Sequence, residues 1–109
     1  MSIRLPKPIA QYVQAENSGE VAPLDDCFAA EATVRDESHT YRGLAEIREW
    51  KAETKRKYKH RVTPLELAER DGFTLLRARL DGDFPGSPVT LQFRFTLQGD
   101  RILALEIGA

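Results

Sequence analysis

Val89-Thr90-Leu91-Gln92-Phe93-Arg94-Phe95-Thr96-Leu97 alternates without a break. Val89, Leu91, Phe93, Phe95 and Leu97 point one way, and Thr90, Gln92, Arg94 and Thr96 point the other. A two-residue period marks a strand with one face on a core and one in water. The same period runs to either side. Arg101 to Ile107 reads as a following strand, with Leu103, Leu105 and Ile107 on one face, after a Gly99-Asp100 turn. Upstream, Val62–Arg70 and Phe73–Asp81 are strands joined by Asp71-Gly72, a dipeptide favoured in tight hairpins. Gly82-Asp83-Phe84-Pro85-Gly86-Ser87-Pro88 is a long turn. The second half is therefore an antiparallel meander with one apolar face.

The first half reads helical. Pro6 to Asn17 is a first helix, with Ile9, Tyr12, Val13 and Glu16 at i, i+3, i+4 and i+7; Ile9, Tyr12 and Val13 share one face. Proline near its start and Asn17-Ser18-Gly19 at its end fit helix boundaries. Glu20 to Ala29 is expected as a short second helix, with Val21, Leu24 and Phe28 inward. Thr33-Val34-Arg35 is a brief strand, Asp36 to His39 a polar turn, and Thr40-Tyr41-Arg42 a strand returning against it. Gly43 precedes a third helix, Leu44 to about Tyr58, striped by Leu44, Ile47, Lys51, Thr54 and Tyr58 with Trp50 on the flank. Helices segregated from strands make the fold class α+β, with the helices covering the apolar sheet face.

Composition narrows the function. The 109 residues suit one domain spanning residues 1–109. A net charge of -1 gives no field to draw nucleic acid or anionic lipid. Cys27 is the only cysteine, so no internal disulfide forms. His39 and His60 stand in no metal-ligand spacing, so no metal is expected, and nothing in the sequence implies an organic cofactor. No nucleotide-binding or serine-hydrolase motif is present. Without an apolar leader or a membrane-length apolar run, a cytoplasmic setting is expected.

Several residues carry chemical interest. Tyr12 puts a phenol on an apolar helix face, where its hydroxyl needs a partner. Asp36, at a strand end, is either a turn aspartate or a carboxylate facing an apolar cavity, where it serves as a general base. Lys51 either snorkels to water or places its ammonium near that cavity. His39 is either a surface turn residue or a proton carrier at the cavity mouth. Arg77, Arg79, Arg94 and Glu106 make a polar outer sheet face. The basic run from Lys51 to Arg61 fits a solvated helix end.

Three segments together resemble a known superfamily. They are Gln11–Glu20 with its tyrosine and Asn-x-Gly-Glu ending, Phe28-Ala29-Ala30-Glu31-Ala32-Thr33-Val34-Arg35-Asp36, and Tyr41-Arg42-Gly43 through Ile47-Arg48-Glu49-Trp50. The chain resembles the nuclear transport factor 2-like superfamily, in the branch of SnoaL-like polyketide cyclases and ketosteroid isomerases. The resemblance implies a cone-shaped, curved antiparallel sheet wrapped around the N-terminal helices, the cystatin-like α+β barrel, with a hydrophobic pocket at one end. It also implies a homodimer through the outer sheet face. Asp36 aligns with the isomerases' general base and Tyr12 with their oxyanion-hole tyrosine. The sequence departs from the isomerases at their second oxyanion donor, where Leu91 stands, and at the third-helix tyrosine, where Lys51 stands.

Two readings follow. In the first, Phe28, Trp50, Leu91, Phe93, Phe95, Leu103 and Leu105 line a pocket for a small hydrophobic or aromatic molecule, with His39 and Lys51 beside it. Asp36 then abstracts a proton next to a carbonyl and Tyr12 meets the enolate, as in an isomerase, cyclase or dehydratase. In the second, the domain is a non-catalytic dimerisation or protein-binding module with a filled cone.

Overall fold

The alternating segments pair as one open sheet. The computed structural model describes residues 4–108. Along the chain run α1 (Lys7–Ser18), α2 (Leu24–Cys27), β1 (Phe28–Asp36), β2 (His39–Arg42), α3 (Gly43–Tyr58), β3 (Arg61–Arg70), β4 (Phe73–Asp81), β5 (Val89–Gln98) and β6 (Arg101–Gly108). Strand order is β2-β1-β6-β5-β4-β3. Neighbours are antiparallel except β1 and β6, which run parallel. The sheet is curved and unclosed, with the helices on its inner side. The α+β architecture expected from the sequence is the one observed.

The helices end where their sequence requires. The first turn of α1 is closed by the Ala10 N–H donating to the Pro6 carbonyl at 2.9 Å. Its last turn is closed by Gly19, whose φ of 78° suits glycine. Ile9, Tyr12 and Val13 pack inward, and so does Glu16. The Tyr12 ring meets Phe28, Phe93 and Phe95 edge-on, with centroids 6.0, 6.2 and 5.6 Å away. Such pairs add about 0.5–1.5 kcal/mol each beyond the area they bury. They fasten α1 across the strands. Cys27 is fully buried beside them; burial pushes its thiol up to about 12.

Two expectations for local structure are corrected. The helix expected over Glu20–Ala29 is only the four residues of α2; the stretch before it is a turn, with the Leu24 N–H on the Val21 carbonyl. Phe28 and Ala29 belong instead to β1, because Phe28 pairs with Ile102 of β6. Sheet pairing outweighs weak local helix preference here. The polar turn is also tighter than Asp36–His39. Asp36 and His39 are paired strand residues, and only Glu37 and Ser38 turn, both at positive φ.

Bulges bend the sheet. In the β5–β6 ladder Thr96 pairs with Ala104 but Leu97 pairs with Ile102, so Leu103 is an extra residue. The expected parity of Leu103 with Leu105 is broken there, and Ile102 takes the core position. In β3 the register shifts between Pro64 and Glu66, around the exposed Leu65. The outer face is polar as expected, with Arg79 on Asp81 and Arg94 on Glu106.

Candidate functional site

The inner stripe of α3 and the last residue of β1 meet at one end of the curved sheet. Trp50, Lys51, Thr54 and Tyr58 come from α3, Glu16 from α1, Asp36 from β1 and His60 from the segment after α3. Leu80, Val89, Leu91, Phe93 and Ile107 supply the sheet wall, and Phe84 and Pro85 the rim. They enclose an open hollow of about 370 Å³ with mostly apolar walls. That is a volume suited to a small organic molecule.

The rim is held by short backbone contacts. The Asp83 N–H donates to the Tyr58 carbonyl at 2.7 Å, and the Gly82 N–H to Ser87 Oγ at 2.9 Å. Phe84 meets Tyr58 edge-on at 5.9 Å. Gly82 is required by this approach: a Cβ there would lie 2.7 Å from the Tyr58 carbonyl oxygen and 2.9 Å from His60 Cα.

Four polar side chains are buried together at the floor. The Glu16 carboxylate is their centre. Tyr12 Oη donates to Glu16 Oε2. Glu16 Oε1 lies 2.6 Å from Lys51 Nζ and 2.5 Å from His60 Nε2. Burial pushes the Glu16 carboxyl up, but Lys51 and His60 outweigh it and hold it down to about 2. Burial pushes the Lys51 ammonium below its ordinary value, against the pull of Glu16. Burial and the Glu16 charge push the Tyr12 phenol well above 10. His60 Nδ1 is buried with no hydrogen-bond partner among the described residues.

Asp36 stands apart from this cluster, on the wall. Trp50 Nε1 donates to its Oδ2 at 3.1 Å. Burial pushes the Asp36 carboxyl above its ordinary value; the Trp50 hydrogen bond restrains the rise and the Glu37 charge adds to it. Lys51 Nζ sits 3.9 Å from the centre of the Trp50 ring, so the indole lies between carboxylate and ammonium.

The structure thus gathers Asp36, Trp50, Lys51, Leu91 and Phe93 around one hollow. It does not bring the other expected residues to its walls. Phe28 and Phe95 pack on the Tyr12 ring, and Leu105 lies in the same buried core. Leu103 is displaced by its bulge. His39 is exposed, and with Tyr41 it lines a neighbouring groove rather than the hollow. Tyr12 is fully buried beneath the floor and donates to Glu16, so it is not placed to meet an enolate. Lys51 does not snorkel: its side chain is 2% exposed.

Glu16 and His60 are the residues that the sequence reading left out. Glu16 had a signal: it sits four residues after Tyr12, on the same helix face. His60 had none, because a left-handed Lys59, φ 48°, aims it inward after α3. Among the described residues no group of three His, Cys, Asp or Glu side chains is arranged to hold a metal ion. No helix of the described residues is long and apolar enough to cross a membrane.

Residues 9–104 match the SnoaL-like domain family. The fold and sequence are similar to a candidate polyketide cyclase of Sinorhizobium meliloti, at 36% identity and a TM-score of 0.89, with 94% of each chain covered. A Catenulispora acidiphila protein with a ketosteroid isomerase-like fold, solved with trimethylamine, is similar at 20% identity and a TM-score of 0.83, over 97% of this chain and 87% of that one. A nuclear transport factor 2-like protein of Cytophaga hutchinsonii is similar at 12% identity and a TM-score of 0.75, over 98% of this chain and 92% of that one. The last two likenesses are of fold alone. No curated protein matches the chain.

Proposed function

Because the chain belongs to the SnoaL-like domain family, we propose that its hollow binds a small hydrophobic or aromatic carbonyl compound and that Asp36 removes a proton from the carbon beside the carbonyl. One observation carries this reading: a carboxylate on the wall of a mostly apolar hollow, with one oxygen held by Trp50 and its basicity raised by burial. The fixed Oδ2 leaves the other oxygen as the basic atom. A carboxylate of raised pKa is a stronger base toward a carbon acid. The Lys51 ammonium faces the charge that develops on the carbonyl oxygen, the part that the isomerase resemblance implies for Tyr12. Tyr12 acts one step back, by holding the Glu16 carboxylate that positions Lys51.

The likeness to a candidate polyketide cyclase supports a ligand with several carbonyl groups. Isomerisation, dehydration and aldol-type cyclisation all begin with this proton transfer. The non-catalytic alternative expects a filled cone, and the open hollow weighs against it.

Hydrogen exchange tests the base. An aryl ketone in D₂O, followed by mass spectrometry, should exchange its α-hydrogens faster with the protein than without it. Asp36→Asn should slow the catalysed exchange by about 10²–10³ while ligand affinity stays within a few-fold. Trp50, the only tryptophan, reports that affinity by its fluorescence. Undiminished exchange in the variant rules out Asp36 as the base.

A further inference from the structure

We propose that Lys51 is a nucleophile, and that its amine condenses with the carbonyl of the bound compound to form an iminium. This rests on reading the hollow as a carbonyl site and adds a covalent step to it. Lys51 lines the hollow with a side chain 2% exposed. Among the described residues, Glu16 is its one oxygen partner, at 2.6 Å. An ammonium has three N–H bonds, so a single carboxylate oxygen and the Trp50 face leave it under-satisfied in an apolar setting. The free amine suits that setting better than it suits water.

The surroundings fit the rest of the step. Glu16 is occupied on both oxygens, by Tyr12, His60 and Lys51, so it remains a carboxylate and balances an iminium as well as an ammonium. Asp36 and Lys51 flank the same indole. The Lys51 ammonium first gives a proton to solvent water admitted by the open hollow. The amine lone pair then attacks the carbonyl carbon, forming the C–N bond as the C=O electrons move to oxygen, and a proton passes from that nitrogen to the oxygen to give a carbinolamine. The hydroxyl takes a proton back from solvent, the nitrogen lone pair forms the C=N bond as the C–O bond breaks, and water leaves. The balance is ammonium plus ketone giving iminium plus water, with no oxidant or reductant. An iminium withdraws electrons from the neighbouring carbon more strongly than an ammonium beside a carbonyl does, so the α-proton becomes easier to remove.

Benzoylacetone tests this on the whole chain. Its imine rearranges to a conjugated enaminone that absorbs in the near ultraviolet and persists through peptide mapping. The expected result is one adduct per chain, of the probe's mass less one water, on Lys51. It should form at least tenfold faster than on Lys7, Lys55, Lys57 or Lys59. Lys51→Met alone strands the buried Glu16 charge, so the matched control is Glu16→Gln with Lys51→Met, its fold checked by circular dichroism. That control should form no adduct at position 51, while labelling of the other lysines stays as in the unaltered chain. Quenching of Trp50 fluorescence without an adduct on Lys51, or equal labelling of the surface lysines, overturns the nucleophile and leaves the hollow as a binding site. Absence of both quenching and adduct overturns the two readings together.

Discussion

Trp50 does two things through one ring. Its N–H holds Asp36 Oδ2, and its face carries the Lys51 ammonium. The hydrogen bond favours the charged carboxylate and so restrains the rise that burial causes. Trp50→Phe keeps a ring but removes that donor. The Asp36 carboxyl should then titrate higher still. Proton exchange requires the carboxylate, so the acid limb of its pH–rate profile should move to higher pH in the variant. An unmoved limb would mean that another group sets it. Much of this site was legible residue by residue: Asp36 ends a strand, and Lys51 interrupts an apolar stripe. What the sequence hid was the pairing. Glu16 and Lys51 are opposite charges on the inward faces of two different helices, and only packing shows that they meet. The expected partnership of Tyr12 with Asp36 was displaced by a nearer acceptor one helical turn away.

Elements set where those residues point. The segment from Gly82 to Pro88 closes onto the end of α3, and Gly82 lies against the Tyr58 carbonyl and His60. A methyl at this point meets backbone atoms, which cannot rotate aside as a side chain does. Gly82→Ala should therefore destabilise by about 1–3 kcal/mol, read as a lower midpoint in urea. It should also weaken ligand binding, because Phe84 and Pro85 ride on the same segment. The long strands were readable from strict alternation, which only a one-sided sheet produces. The start of β1 was not. Phe28 to Ala32 has no alternation, and its strand conformation comes from a parallel partner more than seventy positions away, Ile102. The Leu103 bulge was likewise invisible, since an extra residue in a ladder leaves no mark on composition.

At the scale of the molecule, the buried charges tie stability to pH. The Glu16 carboxyl is held at about 2 in the fold, against 4.5 for an ordinary glutamate. A lowered folded value means that the unfolded chain binds the proton more tightly. The stabilisation is therefore complete above pH 4.5 and is lost as pH falls toward 2. Asp36 works the other way: its raised value withdraws stability as pH rises past 3.8. Glu16→Gln should flatten the acid leg of a urea-unfolding series taken against pH. At neutral pH it should cost about 3–5 kcal/mol, because the Lys51 charge loses its partner. An acid leg of unchanged slope would place the responsible group elsewhere.

The open sheet has another consequence at its β3 border. An unpaired strand margin ordinarily offers a ladder of donors and acceptors on which a stray chain can crystallise into fibrils. Here Pro64 withholds one N–H and the adjoining irregularity at Leu65 throws the spacing out of step. A would-be template is thus broken midway, so the sheet stays open at this border without offering an unbroken ladder.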